Sequence, residues 1–202
     1  GVVAVADAAR CDLHHHLAAP GRLDLDLLAA ALRDSGAVAI GEIGLDFYLD
    51  GLDRARQQAL FEAQLECART AGLPVILHVR KAHDQVLATL KRIRVCGGTA
   101  HAFNGSLQQA ERFIELGFCL GFGGMLTFER SHRLRRLATE LPLDGIVLET
   151  DAPDMTVASH RYERNSPAYL PEVLDNLAQL RNQPSEDIAA ATTANARAVL
   201  GL

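Results

Sequence analysis

Pro74-Val75-Ile76-Leu77-His78 is a short apolar run that ends in a histidine, and it directly follows a segment of helical period. In that preceding segment, residues 53–71, apolar and small residues recur at spacings of three and four, and Gly72 then stops the helix. A helix that leads straight into a buried strand is the repeating unit of a parallel sheet. The stretch therefore predicts an α/β fold built from βα units.

The same alternation continues along the chain. Further helices are predicted at 82–94, 106–116, 130–141, 168–181 and 185–200. The strands number at most six or seven, including a marginal one at 2–6, whereas a closed TIM barrel has eight strands and roughly 250 residues. We therefore expect residues 1–202 to form a single domain of TIM (β/α)8 type that lacks its first one or two strands at the amino-terminal end.

Composition limits the class of protein. The chain has 202 residues, of which 49% are hydrophobic and 22% charged, and its net charge of −5 argues against a broad basic surface that coats nucleic acid. The four cysteines are widely spaced, which argues against a disulfide framework and fits a reducing compartment. No apolar run approaches the roughly 20 residues that cross a bilayer, and the first residues lack the pattern of a signal peptide. We expect a cytoplasmic protein without membrane contact, and a monomer is the favoured state.

Four residues of metal-binding type each close an apolar run, namely Glu42, His78, His101 and Asp151. The carboxyl ends of all strands meet at one face of a parallel barrel, so these residues are expected to converge on one site. A core or loop position is the ordinary explanation for any single histidine, but four ligand types at four strand ends favour a metal-dependent hydrolase. Imidazole and carboxylate suit zinc, manganese and related divalent ions, and Glu42 is the candidate to bridge two ions roughly 3.5–4 Å apart.

Asp151 has a second candidate role. A carboxylate beside a water that an ion activates can take its proton, so Asp151 is also the candidate general base. The structural alternative is a helix cap before Pro153. Glu149, two residues earlier, is interpreted as support for this position.

Other residues suit substrate contact. Arg80 and Arg164 follow strand ends, where a guanidinium can hold a phosphate oxygen, and His83 lies just beyond Arg80. His14 begins a tract of three histidines in which a metal role competes with a solvated loop. Ordinary surface charge remains the alternative for most of the arginines.

These motifs resemble the TatD-type metal-dependent deoxyribonucleases, a branch of the amidohydrolase-like metal-dependent hydrolases. The matching segments, in chain order, are Gly41-Glu42-Ile43-Gly44-Leu45-Asp46, Leu77-His78, His101-Ala102-Phe103-Asn104-Gly105-Ser106, Leu148-Glu149-Thr150-Asp151-Ala152-Pro153 and Arg164-Asn165-Ser166-Pro167. The resemblance implies Glu42 as bridging ligand, His78 and His101 as ligands of one ion, and Asp151 as ligand and general base. It also implies two divalent ions (Mg, Mn or Zn) in a complete family member, and DNA, single-stranded or at its ends, as substrate.

One departure from the family pattern concerns the start of the chain. The family opens with a Thr-His-x-His strand whose histidines bind the other ion, and no such segment precedes His14. His14 aligns instead with a loop histidine of the active face, so the ligand role of the His-x-His pair is not carried onto His14 and His16.

The sequence thus predicts a deoxyribonuclease that cleaves phosphodiester bonds with a metal-activated water, in which Asp151 and Glu42 are the catalytic residues. The first alternative is a metal-dependent hydrolase of a small amide, ester or lactone, since one barrel supports many substrates. The second is a degenerate binding protein without catalysis, because the His-x-His pair is absent.

Overall fold

The computed structural model describes residues 36–48 and 50–202. It divides into two compact units, one up to Gly98 and the other covering Thr99–Leu200. Three predictions lie outside the described residues, namely the marginal strand at 2–6, the absence of one or two first strands and the role of the histidine tract at 14–16. That residues 1–202 form a single domain stays a prediction.

The first unit repeats the βα pattern that the sequence predicts. It contains β1 (Ile40–Asp46), α1 (Arg54–Ala71), β2 (Val75–Arg80) and α2 (His83–Arg92), and its last residue opens β3 (Gly98–Ala100). The side chain of Asp53 caps α1 by accepting a hydrogen bond from the Arg56 amide, and Gly72 ends the helix in a left-handed conformation. Strands β1 and β2 pair in parallel, and Leu45 and Leu77 are fully buried.

The second unit continues the alternation. It contains α3 (Leu107–Glu115), β4 (Phe118–Phe122), α4 (His132–Glu140), β5 (Ile146–Leu148), α5 (Leu170–Arg181) and α6 (Ser185–Leu200). Strands β4 and β5 pair in parallel, with Leu120 opposite Ile146. All five residues of β4 are buried, as expected for a parallel strand that is covered on both faces.

The helix predictions are confirmed, with ends that shift by one or two residues. Ser106 and Gln109 form the expected capping box at the start of α3, in which each side chain receives a backbone N–H of the other residue. In both units, strands that follow one another in the chain are parallel neighbours. None of the helices in the described ranges combines the length and the apolar character that a membrane crossing requires.

The strand ends differ from the sequence prediction. Glu42 and His78 do not close their strands, because β1 continues to Asp46 and β2 to Arg80. His101 follows β3 directly, whereas Asp151 lies three residues beyond the end of β5. In both strands, buried and more exposed side chains continue to alternate beyond Glu42 and His78. The first polar residue after an apolar run therefore does not mark the end of the strand.

Candidate active site

Glu42 lies on an irregularity of β1. The pairing with β2 shifts between Ile40 and Ile43, so two residues of β1 oppose one residue of β2 there. Such a bulge re-aims the side chain that it carries and is frequent beside active sites. The Glu42 side chain is accordingly exposed between two buried neighbours, Gly41 and Ile43.

The imidazole of His78 lies between two carboxylates. Its Nδ1 atom is 3.9 Å from Glu42 Oε2, and its Nε2 atom is 3.4 Å from Asp46 Oδ2. Gly44 pairs with His78 in the sheet, at a φ of +153° and so close that an added Cβ would lie 1.9 Å from the His78 carbonyl oxygen. Only glycine allows this approach of the two strands.

Asp46 is itself held in place. Its backbone N–H donates to the Gln57 side chain, and the Gln57 amide donates back to the Asp46 carbonyl. The Tyr48 N–H donates to Asp46 Oδ1 at 2.8 Å, which leaves Oδ2 for His78. A metal-ligating histidine commonly donates its second ring N–H to a carboxylate in this way.

In the second unit, His101 faces two further carboxylates. Its Nδ1 atom lies 4.0 Å from Glu149 Oε1 and 4.0 Å from Asp151 Oδ1, and its side chain is 9% exposed. The turn that carries it is fixed by the Phe103 N–H, which donates to the Gly121 carbonyl. The buried Phe103 ring packs edge-to-face on Phe113.

Glu149 positions the turn after His101. Its Oε1 atom accepts a hydrogen bond from the Ala102 N–H at 2.5 Å. The carboxylate is seated against Gly121, where an added Cβ would lie 2.5 Å from Glu149 Oε2. The interpretation of Glu149 as support therefore has a structural basis, although β5 ends one residue before it.

Asp151 is presented by a turn and not by a strand. Its φ of +56° is a left-handed conformation, which aspartate and asparagine tolerate better than most residues. Its carbonyl accepts the Asp154 N–H. The buried Asn165 side chain donates to the carbonyls of Thr150 and Asp154, so Asn165 ties both sides of this turn together.

A cavity of about 410 Å³ opens beside these residues within the second unit. Glu149 and Asp151 line it, together with the segment from Arg130 to Leu134 at the start of α4. Its apolar lining includes Met125 and Met155. The candidate catalytic carboxylate thus faces a space large enough for part of a substrate.

The predicted substrate residues have different surroundings. The Arg80 guanidinium lies 3.7 Å from the centre of the Tyr48 ring, where Lys81 also contacts the ring, and Arg80 Nη1 lies 3.9 Å from Asp46 Oδ2. Arg164 is exposed, whereas His83 is buried in the first turn of α2. His14 lies outside the described residues. A substrate role for these four residues stays a prediction.

The structure thus brings the predicted ligands together in two pairs, Glu42 with His78 and His101 with Asp151. Sequence reasoning assigned no role to Asp46 or Asn165. The sequence contains one indication for Asp46, because it lies four residues after Glu42 and so on the same face of a regular strand. For Asn165 the sequence contains no indication of a role besides its place in an irregular loop.

Comparisons with known proteins point to one family. The sequence model described as TatD related DNase matches residues 11–201. The chain is 42% identical over 185 residues to the uncharacterized metal-dependent hydrolase YjjV of Escherichia coli, a match that covers 87% of this chain and 71% of that protein. It is 37% identical over 177 residues to the 3'-5' ssDNA/RNA exonuclease TatD of Klebsiella pneumoniae, covering 84% of this chain and 67% of that protein.

A solved structure agrees in fold. The crystal structure of YjjV from Escherichia coli superimposes with a TM-score of 0.84 at 41% identity, covering 88% of this chain and 70% of that chain. The prediction of an α/β fold of TIM-barrel type is thereby confirmed. The match covers 71% of the length of Escherichia coli YjjV and 64% of the length of a further relative, the uncharacterized metal-dependent hydrolase YcfH of Escherichia coli.

Proposed function

Because the chain belongs to the TatD related DNase family, we propose that it is a divalent-metal-dependent hydrolase that cleaves phosphodiester bonds of DNA. One observation carries the proposal: the His101 imidazole and the Asp151 carboxylate face each other at 4.0 Å, and Asp151 lines a cavity. A nuclease needs this combination of a ligand pair and space for substrate.

Both pairs fit a divalent ion. Two ligand atoms bound to one tetrahedral zinc-like ion lie about 3.3–3.6 Å apart, since each bond is about 2.0–2.2 Å long. The separations of 3.9 Å in the Glu42–His78 pair and 4.0 Å in the His101–Asp151 pair are slightly longer. The difference of about 0.3–0.7 Å is one that a small side-chain rotation covers. We therefore propose Glu42, His78, His101 and Asp151 as metal ligands, with Mg, Mn or Zn as the ions and two as their number.

The protein groups have separate tasks in the proposed reaction. A bound divalent ion supplies Lewis acidity, which lowers the pKa of a water toward about 7 and stabilises negative charge on phosphate. Asp151 would accept the proton of the attacking water on Oδ2, the carboxylate oxygen that is not the proposed ligand atom. Glu149 accepts the Ala102 N–H that follows His101, and Asn165 donates to the carbonyls of Thr150 and Asp154 on the two sides of Asp151. These hydrogen bonds keep His101 and Asp151 in position.

Single-stranded DNA, or DNA at its ends, is the proposed substrate. The exonuclease relative is described as acting on ssDNA and RNA. In this chain, Arg80 and Lys81 contact the half-exposed ring of Tyr48. Cations beside an exposed aromatic ring suit a strand whose bases are unpaired, because a base stacks on the ring while the charge attracts phosphate.

Two competing functions make different predictions. A hydrolase of a small neutral amide, ester or lactone would show a KM independent of salt, whereas binding to DNA weakens steeply as salt rises. A degenerate binding protein would bind divalent ions no better than the Glu42→Ala variant does. The intact ligand pairs favour an enzyme over this second competitor.

The test is hydrolysis of single-stranded DNA with added Mg²⁺, Mn²⁺ or Zn²⁺, in the unchanged chain and in Asp151→Asn. Asparagine tolerates the left-handed backbone at this position, so the substitution removes the charge without imposing a new conformation. We expect turnover to be lost while the circular dichroism spectrum and the melting temperature, both measured without added metal, stay close to those of the unchanged chain. Full activity in a correctly folded Asp151→Asn protein would remove Asp151 from its role.

A further inference from the structure

The cavity beside Asp151 carries charge of both signs. Glu149 and Asp151 contribute carboxylates from the segment after β5, whereas Arg130, His132 and Arg133 belong to the segment that starts α4. If Glu149 and Asp151 serve the metal centre, the arginines are left for a different anionic group. The cavity is therefore larger than a single scissile phosphate requires, and its cationic groups come from a different segment than the carboxylates of the proposed metal site.

Arg130 and Arg133 are exposed, and their contacts with the protein leave N–H groups of both guanidinium groups able to bind an anion. Arg133 Nη2 donates to the Asn104 carbonyl, so its guanidinium is anchored beside the turn that follows His101. Arg130 lies 5.6 Å from the centre of the Phe128 ring, and no carboxylate within the described residues forms an ion pair with it. A guanidinium has five N–H donors, so one contact leaves most of them available to phosphate oxygens.

The start of α4 adds donors of its own. Ser131 occupies the cap position but makes no capping hydrogen bond with its side chain, and no acidic residue lies in the first turn. The first amides of a helix have no partner within the helix, and the helix dipole favours an anion near them. Ser131, His132 and Arg133 all line the cavity, so these donors reinforce the two arginines.

The remaining lining suits the flat apolar face of a base. Met125 and Met155 are both partly exposed in the cavity, and Leu134 adds an aliphatic side chain. Methionine side chains adapt to irregular apolar shapes and make favourable contacts with aromatic rings. The combination of cationic and apolar lining fits a nucleotide better than it fits free phosphate or a neutral ester.

From this juxtaposition we propose that the cavity is a binding subsite for the nucleotide adjacent to the cleaved bond, with its phosphate at Arg130 and Arg133 and its base against Met125 and Met155. This proposal rests on the proposed function and predicts that the enzyme prefers chains with at least two phosphates. The enzyme then distinguishes an oligonucleotide from a small phosphodiester by a contact that lies away from the reacting atoms.

A pair of short substrates tests the subsite. Thymidine dinucleotide d(TpT) has one phosphate, and trinucleotide d(TpTpT) has two, so only the second can fill the subsite while it is cleaved. We expect the unchanged chain with Mn²⁺ to hydrolyse d(TpTpT) with a kcat/KM about tenfold above that of d(TpT), as one charge-assisted phosphate contact allows. The gain should lie mainly in KM.

Substitutions in α4 and in the residues just before it test whether the trinucleotide advantage comes from the subsite or from positive charge anywhere on this surface. Arg130→Ala should remove most of the trinucleotide advantage, and Arg130→Lys should restore part of it. Arg136→Ala is the matched control, because Arg136 lies in α4, six residues after Arg130, but pairs with Glu140 at the surface and does not line the cavity. Arg130→Ala should also reduce the slope of log Kd against log salt for a longer strand by about 0.7.

The outcomes are distinguishable. Equal trinucleotide advantages in Arg130→Ala and Arg136→Ala would overturn the subsite and leave the proposed function intact. The absence of any trinucleotide advantage in an active unchanged chain would do the same. If the chain hydrolyses neither substrate nor a longer strand, the proposed function fails, and the subsite fails with it.

Discussion

At the scale of single residues, the surroundings of His78 decide which of its nitrogens can bind a metal. A carboxylate accepts hydrogen bonds and donates none, so Asp46 Oδ2 favours a proton on the His78 Nε2 atom. The lone pair then lies on Nδ1, the nitrogen that faces Glu42. In the proposed metal site, Asp46 would thus be a positioning residue, because it selects the tautomer whose Nδ1 atom can bind an ion together with Glu42.

Replacing Asp46 tests this assignment. Asp46→Asn preserves the shape of the side chain and an oxygen for the Tyr48 N–H, but its amide group favours the opposite tautomer. We expect the affinity for Mn²⁺, measured by calorimetric titration, to fall about 10–100-fold, as is typical when the partner of a ligating histidine is lost.

Asp53→Asn is the control for Asp46→Asn. It removes the same charge from the same unit, and asparagine caps a helix as well as aspartate does. Equal Mn²⁺ affinities in the two variants would show that the carboxylate of Asp46 has no influence on the site.

At the scale of secondary structure elements, β4 determines where the carboxylate of Glu149 can lie. The nearest atoms to an added Cβ at Gly121 are all in the Glu149 carboxyl group, at 2.5–2.8 Å. Because Gly121 has no side chain, β4 leaves a space at this position, and the Glu149 carboxylate fills that space. The same carboxylate holds the Ala102 N–H, so packing on β4 is linked to the turn after β3.

Gly121→Ala should disturb both contacts. We expect the free energy of unfolding to fall by about 1–3 kcal/mol, as for overpacking in a well-packed core, and turnover to fall as the His101 turn loses its support. The measurement is urea unfolding together with DNA hydrolysis.

A double-mutant cycle with Glu149→Ala isolates the cause. Once the carboxylate is removed, Gly121→Ala should cost clearly less stability than it does alone, because the atoms that it meets are gone. Strictly additive costs would mean that Gly121 is required for a reason other than the seat of Glu149.

Much of the element order could be predicted from the sequence, because hydrophobic period and capping residues are local signals. Ser106 with Gln109 and Gly72 mark their helix ends without any tertiary information. The bulge at Glu42 and the turn at Asp151 are different. Both depend on pairing with a neighbouring strand or on hydrogen bonds from Asn165, which is 14 residues away from Asp151 in the chain, and no local pattern encodes them.

At the scale of the whole molecule, the family and the fold class were predictable because the four motifs that carry candidate ligands occur in the right order along the chain. The candidate ligands came from the same motifs, but their grouping did not, because the resemblance implied His78 and His101 as ligands of one ion, whereas the structure pairs Glu42 with His78 and His101 with Asp151. That all four ligands meet at one centre stays a prediction. The roles of Asp46 and Asn165 were not predictable, because they act through contacts with other protein groups and belong to no metal-ligand pattern.

Metal binding should stabilise the whole fold. An ion that binds only the folded protein raises the free energy of unfolding by about 2.7 kcal/mol when its concentration is 100 times Kd. We expect the melting temperature to rise with Mn²⁺ concentration and to return to its starting value after addition of a chelator.

The effect should depend on the proposed ligands. Asp151→Asn should show a smaller rise in melting temperature at every Mn²⁺ concentration, and a monovalent salt of equal ionic strength should have little effect on either protein. An identical rise in both proteins would place the stabilising ion elsewhere in the chain.

The position of Tyr48 beside Arg80 also has a practical consequence, because tyrosines are the source of the protein's ultraviolet emission. The chain has no tryptophan, and its three tyrosines are Tyr48, Tyr162 and Tyr169. Tyr48 lies two residues after β1, and the other two lie between β5 and α5. Ultraviolet emission of the unlabelled protein therefore arises from the segments that follow two strands, and the protein has an optical reporter of its own for events at those positions.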